Sequence, residues 1–186
     1  MTVTERQSTW EKKYKFSSPQ TNIVLIGMPG AGKSTIGVIL AKLTARGFVD
    51  TDLLIQRSQR RTLQEIVDEE GAPALRRIEE QLLLGLECSG EVIATGGSAV
   101  YSLSALEHLG ENGVIVFLDA DLPTLQARVG NFRTRGIARS PGQTLADLFA
   151  ERRQLYSNAA DLVVHCSGQS QEALCDAIIA GMASDS

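Results

Sequence analysis

The chain has 186 residues, 43% of them hydrophobic and 22% charged, with a net charge of −4. One domain is the natural count for that length, and the composition is ordinary for a globular protein. The acidic balance argues against broad nucleic-acid binding, and no run of about 18 apolar residues exists to span a membrane.

Residues 1–20 read as an N-terminal tail in which Trp10, Tyr14 and Phe16 sit among lysines and a glutamate. They lack an apolar secretory core, so a cytoplasmic protein is expected, and a monomer with neither nucleic-acid nor membrane partners. Residues 21–184 read as a single domain. Its first apolar run, Asn22–Ile26, leads into Gly27-Met28-Pro29-Gly30-Ala31-Gly32-Lys33-Ser34-Thr35. This is G-x-x-x-x-G-K-S/T, the phosphate-binding loop, and Ile36, Leu40 and Leu43 follow at helical spacing. In such a strand–loop–helix, backbone N–H groups from Gly30 to Thr35 turn toward phosphate oxygens at the positive end of the helix dipole. Lys33 reaches the β- and γ-phosphates, and the Ser34 hydroxyl ligates magnesium. A nucleoside triphosphate with Mg²⁺ is the implied ligand.

Strand-like runs then recur near Gly47–Val49, Glu91–Thr95, Gly113–Leu118 and Asp161–Cys166, mostly continuous and apolar as in parallel strands covered on both faces. Helical patterns fill the gaps. Thr62 and Glu65 form a capping box, Gly71 stops that helix, and Leu75, Ile78, Leu82, Leu83 and Leu86 mark a long apolar face. Thr144 with Asp147 caps a helix carrying Leu148, Phe149 and Tyr156. Alternation of this kind predicts a three-layer α/β/α sandwich around a five-stranded parallel sheet. Gly130 to Gln143 has neither periodicity, so a lid loop is expected at about 131–142. Cys88, Cys166 and Cys175 form no C-x-x-C and read as reduced thiols, while His108 and His165 are isolated.

Asp50 and Asp52 fall at the carboxyl end of the second run, where ligands bind in open α/β sheets. In extended chain, residues two apart share a side, so both carboxylates would face the phosphate site. One can hold the water shell of magnesium and the other can accept from a substrate hydroxyl. Helix capping by the pair is the alternative.

Here the chain resembles a known family. The loop followed by Phe48-Val49-Asp50-Thr51-Asp52 resembles shikimate kinases. So do Glu70-Gly71-Ala72-Pro73-Ala74-Leu75-Arg76-Arg77-Ile78-Glu79 (E-G-E-x-x-F-R-x-x-E), Thr95-Gly96-Gly97 (T-G-G-G) and Glu151-Arg152-Arg153-Gln154-Leu155-Tyr156 (E-R-x-P-L-Y). The resemblance implies a P-loop fold with strand order 2-3-1-4-5. It also implies transfer of the ATP γ-phosphate to a hydroxyl of shikimate, a small hydroxylated carboxylic acid, in aromatic amino acid biosynthesis. By the same resemblance Arg76 and Arg152 bind the substrate carboxylate, Gly97 offers a backbone N–H, and Asp52 orients the attacking hydroxyl. Asp50 is left for magnesium. Arg128 packs on adenine, and Arg135, seven residues on, is the lid arginine at the transferred phosphoryl group.

The chain departs from the pattern at Ser98 for the third glycine, at Leu75 for an aromatic residue, and at Gln154 for a proline. Arg135-Gly136-Ile137-Ala138 stands where R-P-L-L is usual, and Arg133 and Arg139 compete for the lid role. Serine is expected to fit badly if position 98 needs φ > 0. A kinase for another small hydroxy acid or polyol, or a nucleotide-binding regulatory module without turnover, would keep the same loop.

Overall fold

Five short runs rich in apolar and β-branched residues pair in parallel, as β2-β3-β1-β4-β5. They are β1 (Asn22–Ile26), β2 (Gly47–Asp50), β3 (Glu91–Ala94), β4 (Gly113–Asp119) and β5 (Leu162–His165). The computed structural model describes residues 18–129, 136–140 and 142–184. β1 and β4 are buried along their whole length, whereas the edge strands β2 and β5 are partly exposed. Central strands have neighbours on both sides and helices on both faces, so only they must be apolar throughout. The predicted fold class and strand order are therefore found.

Helices connect the strands: α1 (Lys33–Leu43), α2 (Thr51–Gln59), α3 (Leu63–Glu70), α4 (Ala72–Leu84), α5 (Leu103–Glu111), α6 (Leu122–Val129), α7 (Leu145–Ala159) and α8 (Gln171–Ser184). The predicted capping box is present at Thr62–Glu65, and the predicted cap at Thr144 proves to be a second one, with Asp147. Gly71 ends α3 and begins α4. The buried stripe of α1 is Lys33, Ile36, Gly37, Leu40 and Ala41. At 100° per residue that stripe centres near Gly37, which leaves Leu43 at its margin and exposed. Among the described residues, no helix is long and apolar enough to cross a membrane.

Among the described residues, two apolar clusters result. The larger lies on the sheet and joins Ile23–Ile26, Ile36, Leu40, Val114–Leu118 and Tyr156. The smaller joins Ile55, Ile66, Ala72, Leu75 and Ala138, away from the sheet. Cys166 and Cys175 are buried and free, and burial raises the pKa of both thiols.

Candidate active site

β1, β2 and β3 end on the same side of the sheet, and the chain segments that leave them line one cleft of about 520 Å³. Gly32, in a left-handed conformation with φ 103°, is the N-cap of α1 and turns the loop into the helix. Gly30, Ala31, Gly32, Lys33, Ser34 and Thr35 all line the cleft. The Lys33 ammonium donates to the carbonyl oxygens of Gly27 at 2.7 Å and Met28 at 3.1 Å. Burial lowers its pKa to about 8, against the opposing pull of Asp52 and Glu79.

Ser34 Oγ donates to Asp50 Oδ2 at 2.7 Å. The other oxygen of Asp50 accepts from the backbone N–H groups of Asp52 and Leu53, capping α2. Asp50 thus caps a helix and also faces the phosphate loop. Asp52 corrects the extended-chain expectation. It belongs to the first turn of α2, since the strand ends at Asp50. Asp52 still reaches the cleft, because the cap aims the start of α2 toward it. Its pKa is raised by burial, opposed by Lys33 and reinforced by Asp50.

After β3 the chain runs through Thr95, Gly96 and Gly97. The Gly96 N–H donates to the buried Thr51 Oγ1 at 3.0 Å. A Cβ at Gly96 would lie 2.3 Å from Glu79 Oε1 and 2.7 Å from Asp52 Oδ1, so two carboxylates close on this backbone from opposite elements. The Gly97 carbonyl accepts from Arg152 Nη1 at 2.8 Å and from the Tyr156 hydroxyl.

Arg152 is fully buried, and each of its nitrogens has a partner. Nε donates to the Tyr101 hydroxyl at 3.0 Å, Nη1 to Gly97 O and Nη2 to Ala138 O. The next residue, Arg153, makes a bidentate pair with Asp119 at the end of β4, with bonds of 3.0 and 2.9 Å. His165 also contacts that carboxylate at 3.1 Å. Arg152 points inward because it shares the buried stripe of α7 with Leu145, Leu148 and Tyr156. Arg76 does not line the main cleft. Its guanidinium lies over the Tyr101 ring, 3.9 Å from the centroid, and opens on two smaller adjoining cavities. The predicted pair therefore meets at Tyr101 and not at a shared opening. Arg128 lines the cleft, with Nη1 3.4 Å from the Ala31 carbonyl.

Arg133 and Arg135 lie outside the described residues, as does half of the predicted lid. Residues 136–140 of the lid are docked. Gly136 N donates to Gln64 Oε1 at 2.7 Å, and Ile137 and Ala138 are buried. Gly136 has φ 57°, and a Cβ there would sit 2.5 Å from Leu63. Proline holds φ near −65°, so the usual proline of this segment cannot occupy this backbone. Arg139 donates to Gln143 O at 3.1 Å and lines a different cavity.

Ser98 overturns the expectation of strain, because its φ is −99°. Its hydroxyl donates to Glu79 Oε2. Glu79 is 2% exposed, and its Oε1 has no hydrogen-bond partner among the described residues. Burial pushes its pKa up to about 7, opposed by the Ser98 bond and aided by Asp52. The family motif includes Glu79, but the motif assigns it no task. The signal was present: Glu79 lies four residues from both Leu75 and Leu83 on the buried stripe of α4, where a carboxylate needs a reason to be. Tyr101 carried no such signal.

A family model described as shikimate kinase matches residues 29–183. The chain belongs to the shikimate kinase family. A shikimate kinase of Rhizobium meliloti is 34% identical over 185 residues, covering 97% of this chain and 96% of its own. One from Rippkaea orientalis is 40% identical over 146 residues, 77% of each chain. Among solved structures, shikimate kinase from Acinetobacter baumannii in complex with shikimate superposes with a TM-score of 0.80 at 29% identity, over 94% of this chain and 98% of that one. As a family member the chain is an ATP-dependent kinase acting on a hydroxyl group.

Proposed function

We propose that shikimate is the acceptor of this kinase and that its 3-hydroxyl receives the ATP γ-phosphate. The observation that carries the reading is one cleft shared by the phosphate loop, the Asp52 carboxylate and the buried Arg152 guanidinium. A polyhydroxylated carboxylic acid has groups for each of the last two. Its hydroxyls can donate to Asp52, and its carboxylate can meet an arginine fork. The A. baumannii kinase holds shikimate, and its likeness to this chain supports the same acceptor.

Gly30 to Thr35 would cradle the phosphates, with Arg128 beside the nucleotide. Asp52, whose burial raises its affinity for a proton, would orient the attacking hydroxyl and accept its proton. Lys33 and the lid arginine Arg135 would offset charge on the moving phosphoryl group, so rate comes from positioning and electrostatics. Arg152, Arg76 and the Gly97 backbone would bind the acid. The kinase domain would span 21–184, with the lid at 131–142.

Ser34 and Asp50 present hard oxygen donors 2.7 Å apart beside the loop, which suits Mg²⁺. Among the described residues no cluster of three metal-ligating side chains exists. One or two protein oxygens suffice for an ion that shares its shell with phosphates and water. When bound, Mg²⁺ would neutralise charge on the β- and γ-phosphates.

The test is ADP release in a coupled assay across a panel of hydroxy acids. Shikimate-dependent turnover is the expected outcome. Turnover with a different acid alone, or nucleotide binding without turnover, would overturn the proposal.

A further inference from the structure

We infer that Tyr101 is a positioning residue for the acceptor carboxylate, acting as a shared platform and spacer for Arg76 and Arg152. The inference rests on the reading that those two arginines bind the acid. Tyr101 closes the short 3₁₀ turn Ala99–Tyr101, just after Gly96 and Gly97. It therefore moves with the backbone that lines the acceptor end of the cleft.

Its ring and its hydroxyl do different things. The Arg76 guanidinium lies over the ring at 3.9 Å from the centroid, and the Arg152 guanidinium at 4.9 Å. Both distances are within cation–π range, and desolvation strengthens such contacts. Arg76 Nε is buried with no hydrogen-bond partner among the described residues, so the ring face stands in for an acceptor. The hydroxyl accepts from Arg152 Nε and donates to Glu151 Oε1. Donation to a carboxylate makes the phenolic oxygen a better acceptor, and Glu151 adds a negative charge near the two cations.

The geometry has a consequence for binding. Guanidinium has five N–H donors. In Arg152, Tyr101 takes the Nε donor, while Gly97 and Ala138 each take one terminal donor. The N–H groups left are one on each terminal nitrogen, so a carboxylate must bind Arg152 through these and not through Nε. Tyr101 thereby selects which edge of Arg152 the acid can use. Its ring holds the Arg76 guanidinium close by, although Arg76 does not line the main cleft.

Two variants in the full chain test this: Tyr101→Phe keeps the ring, and Tyr101→Leu removes it. Each is assayed for KM toward shikimate, KM toward ATP, kcat and Tm. We expect the shikimate KM to rise about threefold in Phe and about tenfold in Leu, less than the full value of a lost hydrogen bond to a charged group, because Tyr101 acts on the acid only through the two arginines. The ATP KM and kcat should change by less than about twofold, and Tm by no more than a few degrees. A purely structural tyrosine would instead lower Tm and raise both KM values together. That outcome, or an unchanged shikimate KM in both variants, overturns the inference. The methyl ester of shikimate, which lacks the charge, tests the underlying reading in the wild type. Ester turned over as well as the acid would defeat carboxylate recognition by the arginines, and this inference with it.

Discussion

The phosphate end of the cleft comes from one continuous stretch, Gly27–Ser34, seated on the main apolar cluster of the sheet. The acceptor end gathers Asp52, Glu79, Gly97 and Arg152 from four separate segments, and the smaller cluster of Ile55, Ile66, Ala72, Leu75 and Ala138 lies beside it. The first is a backbone device, since a short loop with left-handed glycines and a helix N-terminus makes an anion site wherever it occurs. The second is a side-chain device, in which each group is correctly placed only if several helices are. Segments with fewer buried apolar contacts open at lower free energy, so the acceptor end is the part expected to move.

The largest expected effect falls on the phosphate end. Lys33→Ala should lower kcat by about 10³-fold or more, because a preorganised charge on the transferring group is lost. Its bonds run to loop carbonyls, so Tm should change little. Single-turnover kinetics with thermal melts reads both quantities, and a variant with wild-type kcat would remove the loop from the chemistry.

Next comes the lid. Arg135→Ala should lower kcat by about 10²-fold, and Arg139→Ala by less than about threefold. Arg139 is held to Gln143 and lines another cavity. Steady-state rates that rank the two variants in the reverse order would move the lid role to Arg139.

The two candidate carboxylate arginines should separate. Arg152→Lys loses the fork that serves three acceptors at once, so the acceptor KM should rise about 10-fold or more and stability fall by about 2 kcal/mol. Arg76→Lys should raise the same KM about threefold with little loss of stability, since its main contact is the Tyr101 ring. KM values and melts on both variants decide the point. Equal effects would mean that the arginines form one site and not the graded pair inferred from their contacts.

The smallest effect is a pH dependence of stability. The Glu79 pKa rises from an ordinary 4.5 to about 7 in the folded chain. Between those values the folded state holds a proton that the unfolded state has released. Its contribution is full below pH 4.5 and is lost as pH rises through 7. Asp52, Lys33 and Arg152 all act on this carboxyl. Glu79→Gln, neutral throughout, should match the wild type near about pH 4.5 and be more stable near about pH 8, by on the order of 2 kcal/mol or about 4–8 °C. A Tm difference that does not grow with pH would show that Glu79 ionises without penalty.

Sequence by itself determined the phosphate loop, the parallel sheet and both capping boxes. Each rests on neighbours a few residues apart: glycines that curl a loop, β-branched runs, a threonine three residues before an acid. It also brought Asp50, Asp52, Gly97 and Arg152 into view, through ordered motifs resembling a family. Only the tertiary structure decided what those groups touch. It set Asp52 on a helix and not on a strand, turned Arg76 onto Tyr101, paired Ser98 with Glu79, and gave Gly136 a backbone that proline cannot adopt. These outcomes depend on contacts between segments distant in the chain, whose energies come from burial and shared hydrogen bonds. No local periodicity records them.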